Sequence, residues 1–168
     1  MKWQTGIRIV LVLWACWACP GTQAQQQAHI GELSSLDLQF MKQQREFLQE
    51  LTALNLGEQF NGHRDHDLDL LQTLLDRKLV RPDQTRELQA MGVIMGDLLA
   101  AALDMHWVIY EDKEGRSRAL RYQNSDDFLF PITMISRRRE VGNQTSVADI
   151  YYKAYGIIAA GKPALPFQ

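Results

Sequence analysis

Residues 88–111, LQAMGVIMGDLLAAALDMHWVIYE, contain the change of period that decides the fold. Leu88, Met91, Met95, Leu98, Leu99 and Ala102 recur at three- and four-residue steps, which is the apolar stripe of a helix. After Leu103 the pattern turns to alternation through Trp107, Val108, Ile109 and Tyr110, residue types that suit a pleated strand. A helix running directly into a strand places this chain in the α+β class. Gly92 and Gly96 sit one turn apart on the helix, where each costs about 1 kcal/mol relative to alanine. That cost is offset where a second backbone packs closely, so the pair marks a packing seam.

On the C-terminal side, Asp112-Lys113-Glu114-Gly115 reads as a hairpin loop, followed by a return strand from Arg118 to Tyr122. Phe128-Leu129-Phe130 makes a third short strand, stopped by Pro131. Ser146 and Asp149 form a capping-box pair opening a final helix, with Val147, Ile150, Tyr151, Ala154, Tyr155 and Ile158 on one side and Gly161, Pro163 and Pro166 ending it. Toward the N-terminus, Ser34 and Asp37 cap a first helix whose expected apolar face is Leu36, Phe40, Phe47, Leu51 and Leu54. A second helix carries Leu68, Leu71, Leu75 and Leu79, and Pro82 falls in the expected first turn of the third. The expected architecture is three N-terminal helices, a small antiparallel sheet made of the hairpin plus a third strand, and a closing C-terminal helix.

The N-terminus carries a different signal. Lys2 and Arg8 flank a basic start, residues 7–18 are almost wholly apolar, Pro20-Gly21 breaks the run, and Thr22-Gln23-Ala24 offers small residues where a signal peptidase reads. The run is shorter than the roughly 20 residues a spanning helix needs. The expectation is a signal peptide over 1–24 cleaved after Ala24, a flexible lead-in over 25–33, a single domain over 34–161, and a tail over 162–168. This gives a periplasmic or secreted protein. The alternative is a lipoprotein anchored through Cys16, because Leu13-Trp14-Ala15-Cys16 approximates a lipidation site, although Trp14 is bulky there. Membrane attachment is expected only in that case. Both cysteines, Cys16 and Cys19, lie in the removed segment, so the mature domain would hold together without disulfides. Loss of Lys2 and Arg8 takes the net charge from −2 to about −4, which argues against a general nucleic-acid binder.

Residues from Leu88 onward resemble an uncharacterised bacterial family catalogued as a domain of unknown function. The resemblance rests on Met91-Gly92-Val93-Ile94-Met95-Gly96, Trp107-Val108, Glu111-Asp112 with Gly115, Ala119-Leu120-Arg121-Tyr122, and Phe130-Pro131-Ile132-Thr133-Met134-Ile135-Ser136 with Arg138. It extends over roughly Phe40 to Ile158. It implies a compact α+β domain of bacterial origin and assigns no activity.

Three groups of residues are candidates for chemistry. Arg137, Arg138 and Arg139 could grip a carboxylate or phosphate of a partner, since guanidinium forks match those groups. This run, together with the hairpin, is the expected site for an unknown protein or anionic ligand of the cell envelope. His63, Asp65, His66 and Asp67 combine imidazole and carboxylate as metal sites do. Asp65, Asp67, Asp69 and Asp76 even match positions of a calcium loop, but Leu70 stands where that loop requires glycine, so no metal and no cofactor are expected. His106 with Asp104 or Asp112 is the remaining acid–base candidate. The chain lacks a nucleophile elbow, a phosphate loop and a His-Glu-x-x-His helix. The expected role is therefore a non-catalytic interaction or envelope-associated module, with a hydrolase using His106 as the alternative. The aromatics Trp107, Tyr110, Tyr122, Phe128 and Phe130 are read as strand packing.

Overall fold

The computed structural model describes residues 28–161, so the expected signal peptide, Cys16, the Ala24 cleavage site and the tail over 162–168 lie outside the described residues. In chain order the elements are β1 (His29–Gly31), α1 (Ser35–Leu56), α2 (Arg64–Asp76), α3 (Thr85–Leu103), β2 (Met105–Asp112), β3 (Gly115–Tyr122), β4 (Phe128–Leu129), a 3-10 turn (Pro131–Thr133), α4 (Ser136–Glu140) and α5 (Val147–Ala159). The four strands form one antiparallel sheet in the order β1-β2-β3-β4. The expected α+β class holds, with one strand and one short helix more than the sequence pattern shows.

The change of period after Leu103 occurs where expected. Asp104 adopts the left-handed conformation (φ 56°) and its N–H caps the α3 carbonyl of Ala100, which turns the chain sharply into β2. Helix α3 is the hub of the core: Leu88, Met91, Met95, Leu99 and Leu103 are fully buried. Helices α1 and α5 pack against α3, and α2 packs on α5. The Gln72 Oε1 atom accepts the Val147 N–H at 2.9 Å, which fixes where α5 begins on α2.

Gly92 and Gly96 form the seam their sequence position suggests. A Cβ on Gly92 would lie 2.5 Å from the Ile132 carbonyl oxygen and 2.6 Å from that of Pro131. On Gly96 it would lie 2.7 Å from Cη2 of Trp107 and 3.0 Å from Cβ of Pro131. The seam therefore seats the 3-10 turn and Trp107 directly on the α3 backbone.

Several local expectations need correction. In α1 the buried side is Asp37, Met41, Gln44, Leu48 and Thr52, whereas Leu36 and Leu54 are 77% and 85% exposed. The apolar residues chosen from the sequence spread across an arc, and the buried stripe carries polar residues that the hydrophobic pattern does not reveal. Pro82 precedes α3 in a turn, and the helix starts at Thr85 with Gln84 as its N-cap. Leu79 lies beyond the end of α2, whose buried leucines are Leu68, Leu70, Leu71 and Leu74. The lead-in expected over 25–33 contains β1, in which Ile30 pairs with Tyr110.

Alternation in β2 and β3 sorts their side chains onto two faces. Met105, Trp107, Ile109, Arg116, Arg118, Leu120 and Tyr122 share the face turned to the helices, because opposed residues project to the same side. His106, Val108, Tyr110, Ser117, Ala119 and Arg121 share the outer face. The aromatics divide accordingly. Trp107 and Tyr122 join the core, while Tyr110 meets Phe128 and Phe130 edge-on at centroid distances of 5.0 and 5.4 Å.

Candidate functional site: a cleft at the free edge of the sheet

The termination of β4 creates the site. Strands β3 and β4 pair Leu120 with Leu129 and Arg121 with Phe128, and the Tyr122 N–H donates to the Asp127 carbonyl at 3.1 Å. Tyr122 therefore directs its main-chain groups toward β4, and by the two-residue period Leu120, Arg118 and Arg116 do the same. In this register the next residue to bond Arg118 would be Pro131, which has no N–H to give. Held instead on the α3 glycines, the chain veers off the sheet at Pro131. The Arg116–Arg118 half of β3 is left without a neighbouring strand.

A cleft of about 490 Å³ occupies the vacated space. Arg116, Ser117 and Arg118 of β3 form one wall, and Phe130, Ile132, Thr133 and Arg137 form the other. Phe40 of α1 and Gln89 of α3 also line it, with Asp112 and Glu114 at the hairpin end.

Buried Asp37 organises the arginines on the β3 wall. It closes the α1 capping box with Ser34, whose side chain accepts the Asp37 N–H at 3.2 Å and whose N–H donates to Asp37 Oδ2 at 3.0 Å. The same carboxylate accepts from Arg116 Nη1 at 3.1 Å and lies 2.8 Å from Arg118 Nη2. The Arg116 hydrogen bond is the main cause holding the Asp37 carboxyl well below the usual carboxylate range, against an opposing burial effect. The Arg118 guanidinium also lies 4.2 Å from the Phe40 ring centroid, which keeps it flat against α1. Two guanidinium groups thus share one buried carboxylate, and Glu111 lies opposite Arg116 on the neighbouring strand. Arg137 is exposed at the opposite wall and adds a positive charge there.

The three-arginine run divides by function. Arg137 faces the cleft. Arg138 is half-buried and donates through Nη1 to the Met134 carbonyl at 2.6 Å. Arg139 is 4% exposed and donates to the Asn143 and Thr145 carbonyls at 3.2 and 3.1 Å and to Gln144 Oε1 at 2.6 Å. Burial lowers its pKa. Expecting all three to face a ligand is incorrect for Arg139, because α4 turns that side chain inward to tie down the loop before α5. The sequence run also gives no sign of Arg116 and Arg118, of which Asp37 recruits the first from 79 residues away.

The other candidates occupy different places. Asp67 is buried and accepts from the Asn61 and Gly62 N–H groups at 3.1 and 2.8 Å, so its carboxylate organises the loop before α2. His66 bridges Asp67 and Glu58 at 2.8 and 3.3 Å, and chiefly the Asp67 contact raises its pKa. Asp65 pairs with Arg64, and exposed His63 precedes the helix. Among the described residues no group of three or more His, Cys, Asp or Glu side chains is placed to hold a metal ion. His106 is exposed at the start of β2 and Asp112 ends that strand, about 20 Å away at the usual rise per residue. The acid–base pair of His106 with Asp112 is therefore not assembled. Asp104 is exposed at the α3 cap.

Fold and cleft together define a small α+β domain with an arginine-lined cleft at a sheet edge, bounded by Asp112 and Glu114 at its hairpin end. A family described as Domain of unknown function (DUF3806) matches residues 67–151, half of the chain, and the chain belongs to that family. The matched span runs from the buried loop aspartate Asp67 to the buried Tyr151 and takes in the hairpin, the glycine seam and Arg137. Among curated proteins there is no match. A crystal structure from Bacteroides thetaiotaomicron VPI-5482, at 1.50 Å resolution, is similar with a TM-score of 0.68 and 18% identity over 79% of this chain and 49% of that one. This chain spans about half the length of that neighbour, and the likeness is one of fold.

Proposed function

We propose that the protein is an exported, non-catalytic interaction module that recognises an anionic group through the cleft between β3 and the 3-10 turn. One observation carries this reading: Arg116 and Arg118 of β3 and Arg137 of α4 line one concave surface beside Phe40 and Phe130. The lining is mostly polar and charged, and guanidinium groups favour carboxylate and phosphate partners. Arg137 has no hydrogen-bonding partner among the described residues, so its donors are available to a ligand.

The test uses immobilised protein and an envelope extract, with Arg137→Glu as the paired bait. Wild-type protein should retain partners that salt elutes and that the charge-reversed bait fails to hold. Identical capture by both baits would refute the site. Export, which rests on the residues before Gln25, predicts Gln25 as the mature N-terminus by mass spectrometry. An intact Met1, or a lipid on Cys16, would contradict soluble export.

A further inference from the structure

We infer that the cleft binds an extended acidic peptide by strand addition: the peptide continues the β4 track along the free edge of β3, with its carboxylates facing Arg116, Arg118 and Arg137. This rests on the anion-recognition reading above and specifies both the ligand class and the binding mode.

The main chain supplies the first argument. The outward N–H and C=O groups of Arg116 and Arg118 have no main-chain or side-chain partner among the described residues. They are spaced to bond alternate residues of an antiparallel strand. The would-be fourth-strand partner is excluded by Pro131, and the space it would occupy is the cleft itself. Strand addition to an open edge is an established way of recognising extended peptides.

Charge chooses the occupant. A second copy of this edge laid antiparallel would set arginine against arginine, which is destabilising in directly opposed pairs. Basic residues thus protect the edge from self-pairing while suiting an acidic strand. Arg116 and Arg118 project to the same face of β3, so carboxylates at alternate peptide positions would meet both. Asp112 and Glu114 line the hairpin end of the cleft and disfavour carboxylates there. The outer-face side chains of such a peptide would adjoin Ser117 and the Tyr110–Phe130 pair.

The test is a methylation scan of acetyl-Thr-Glu-Thr-Glu-Thr-Glu amide, titrated calorimetrically into the unmodified protein. In an antiparallel pair the residue bonded to Arg118 projects its side chain to the same face, so the glutamate N–H groups point at the edge. N-methylation of the glutamates should weaken binding by roughly tenfold or more, since about 1.4 kcal/mol corresponds to one decade. N-methylation of the threonines, whose N–H groups face away, should leave affinity within about twofold, below the usual worth of one hydrogen bond. Equal effects of the two methylation patterns would overturn strand addition, as would free glutarate binding as tightly as the peptide; either result leaves anion recognition standing. Failure of the peptide and of glutarate to bind at low salt would overturn both readings.

Discussion

Replacing Gly92 with alanine tests the seam that shapes the cleft. The added methyl would lie 2.5, 2.6 and 2.7 Å from the Ile132 oxygen, the Pro131 oxygen and Ile132 Cα, where ordinary contact begins near 3.4 Å. All three are backbone atoms, so no flexible side chain can give way. Helix propensity favours alanine by about 1 kcal/mol, whereas overpacking typically costs 1–3 kcal/mol. With three backbone clashes of almost an ångström the cost belongs at the top of that range, giving a net loss of about 2 kcal/mol. Gly156→Ala in α5 is the matched control, because its new Cβ meets nothing within 4 Å and only the propensity gain remains. For a urea slope of about 2 kcal/mol per molar, the first substitution should lower the midpoint by about 1 M and the second raise it by about half that. A Gly92→Ala midpoint at or above wild type would show that the 3-10 turn is not held on the α3 backbone.

Two further outcomes concern the ionic framework. Asp37→Asn should cost about 1–2 kcal/mol at neutral pH, allowing for the partial exposure of Arg116. Because the folded-state pKa of Asp37 is depressed, its contribution is complete above the unfolded value near 4 and is lost as pH falls toward the folded value. The stability gap between wild type and Asp37→Asn should therefore narrow in urea titrations below about pH 4, and a gap independent of pH would contradict the assignment. Arg139→Ala should lose about 2–3 kcal/mol by removing a buried guanidinium and its three hydrogen bonds to the loop before α5, while Arg137→Ala should change thermal stability by under about 0.5 kcal/mol. Equal sensitivity of the two arginines would mean that α4 is oriented differently.

Local physics was largely legible in the sequence. The change from helical to alternating period at Leu103, the Ser34 and Ser146 caps and the Gly92–Gly96 seam each follow from a few neighbouring residues, and each occurs in the fold. The phase of α1 was not legible, because its buried face includes the polar residues Asp37, Gln44 and Thr52; Asp37 is bound by Arg116 from a distant strand and Thr52 by its own helix backbone. Strand β1 is too short for alternation to register, and it forms because β2 offers it an edge. For the cleft, the run at Arg137 and the hairpin were identifiable. The Asp37 link to Arg116 and Arg118 was not, since an ion pair across 79 residues leaves no periodic trace. A basic run likewise does not reveal which of its side chains a short helix will turn inward, and this is why Arg139 was misassigned.

The most direct measurement is calorimetric titration of the alternating threonine–glutamate hexapeptide into wild-type protein and Arg137→Glu, each at low and at physiological salt. Arg137 is exposed and its reversal leaves the Asp37 cluster intact, so both proteins should melt within about 0.5 kcal/mol of each other. Wild-type protein should bind at low salt and lose affinity as screening sets in over about 8–10 Å, with Arg137→Glu weaker by tenfold or more. Equal affinity of the two proteins, unchanged by salt, would contradict recognition of an acidic ligand by this cleft.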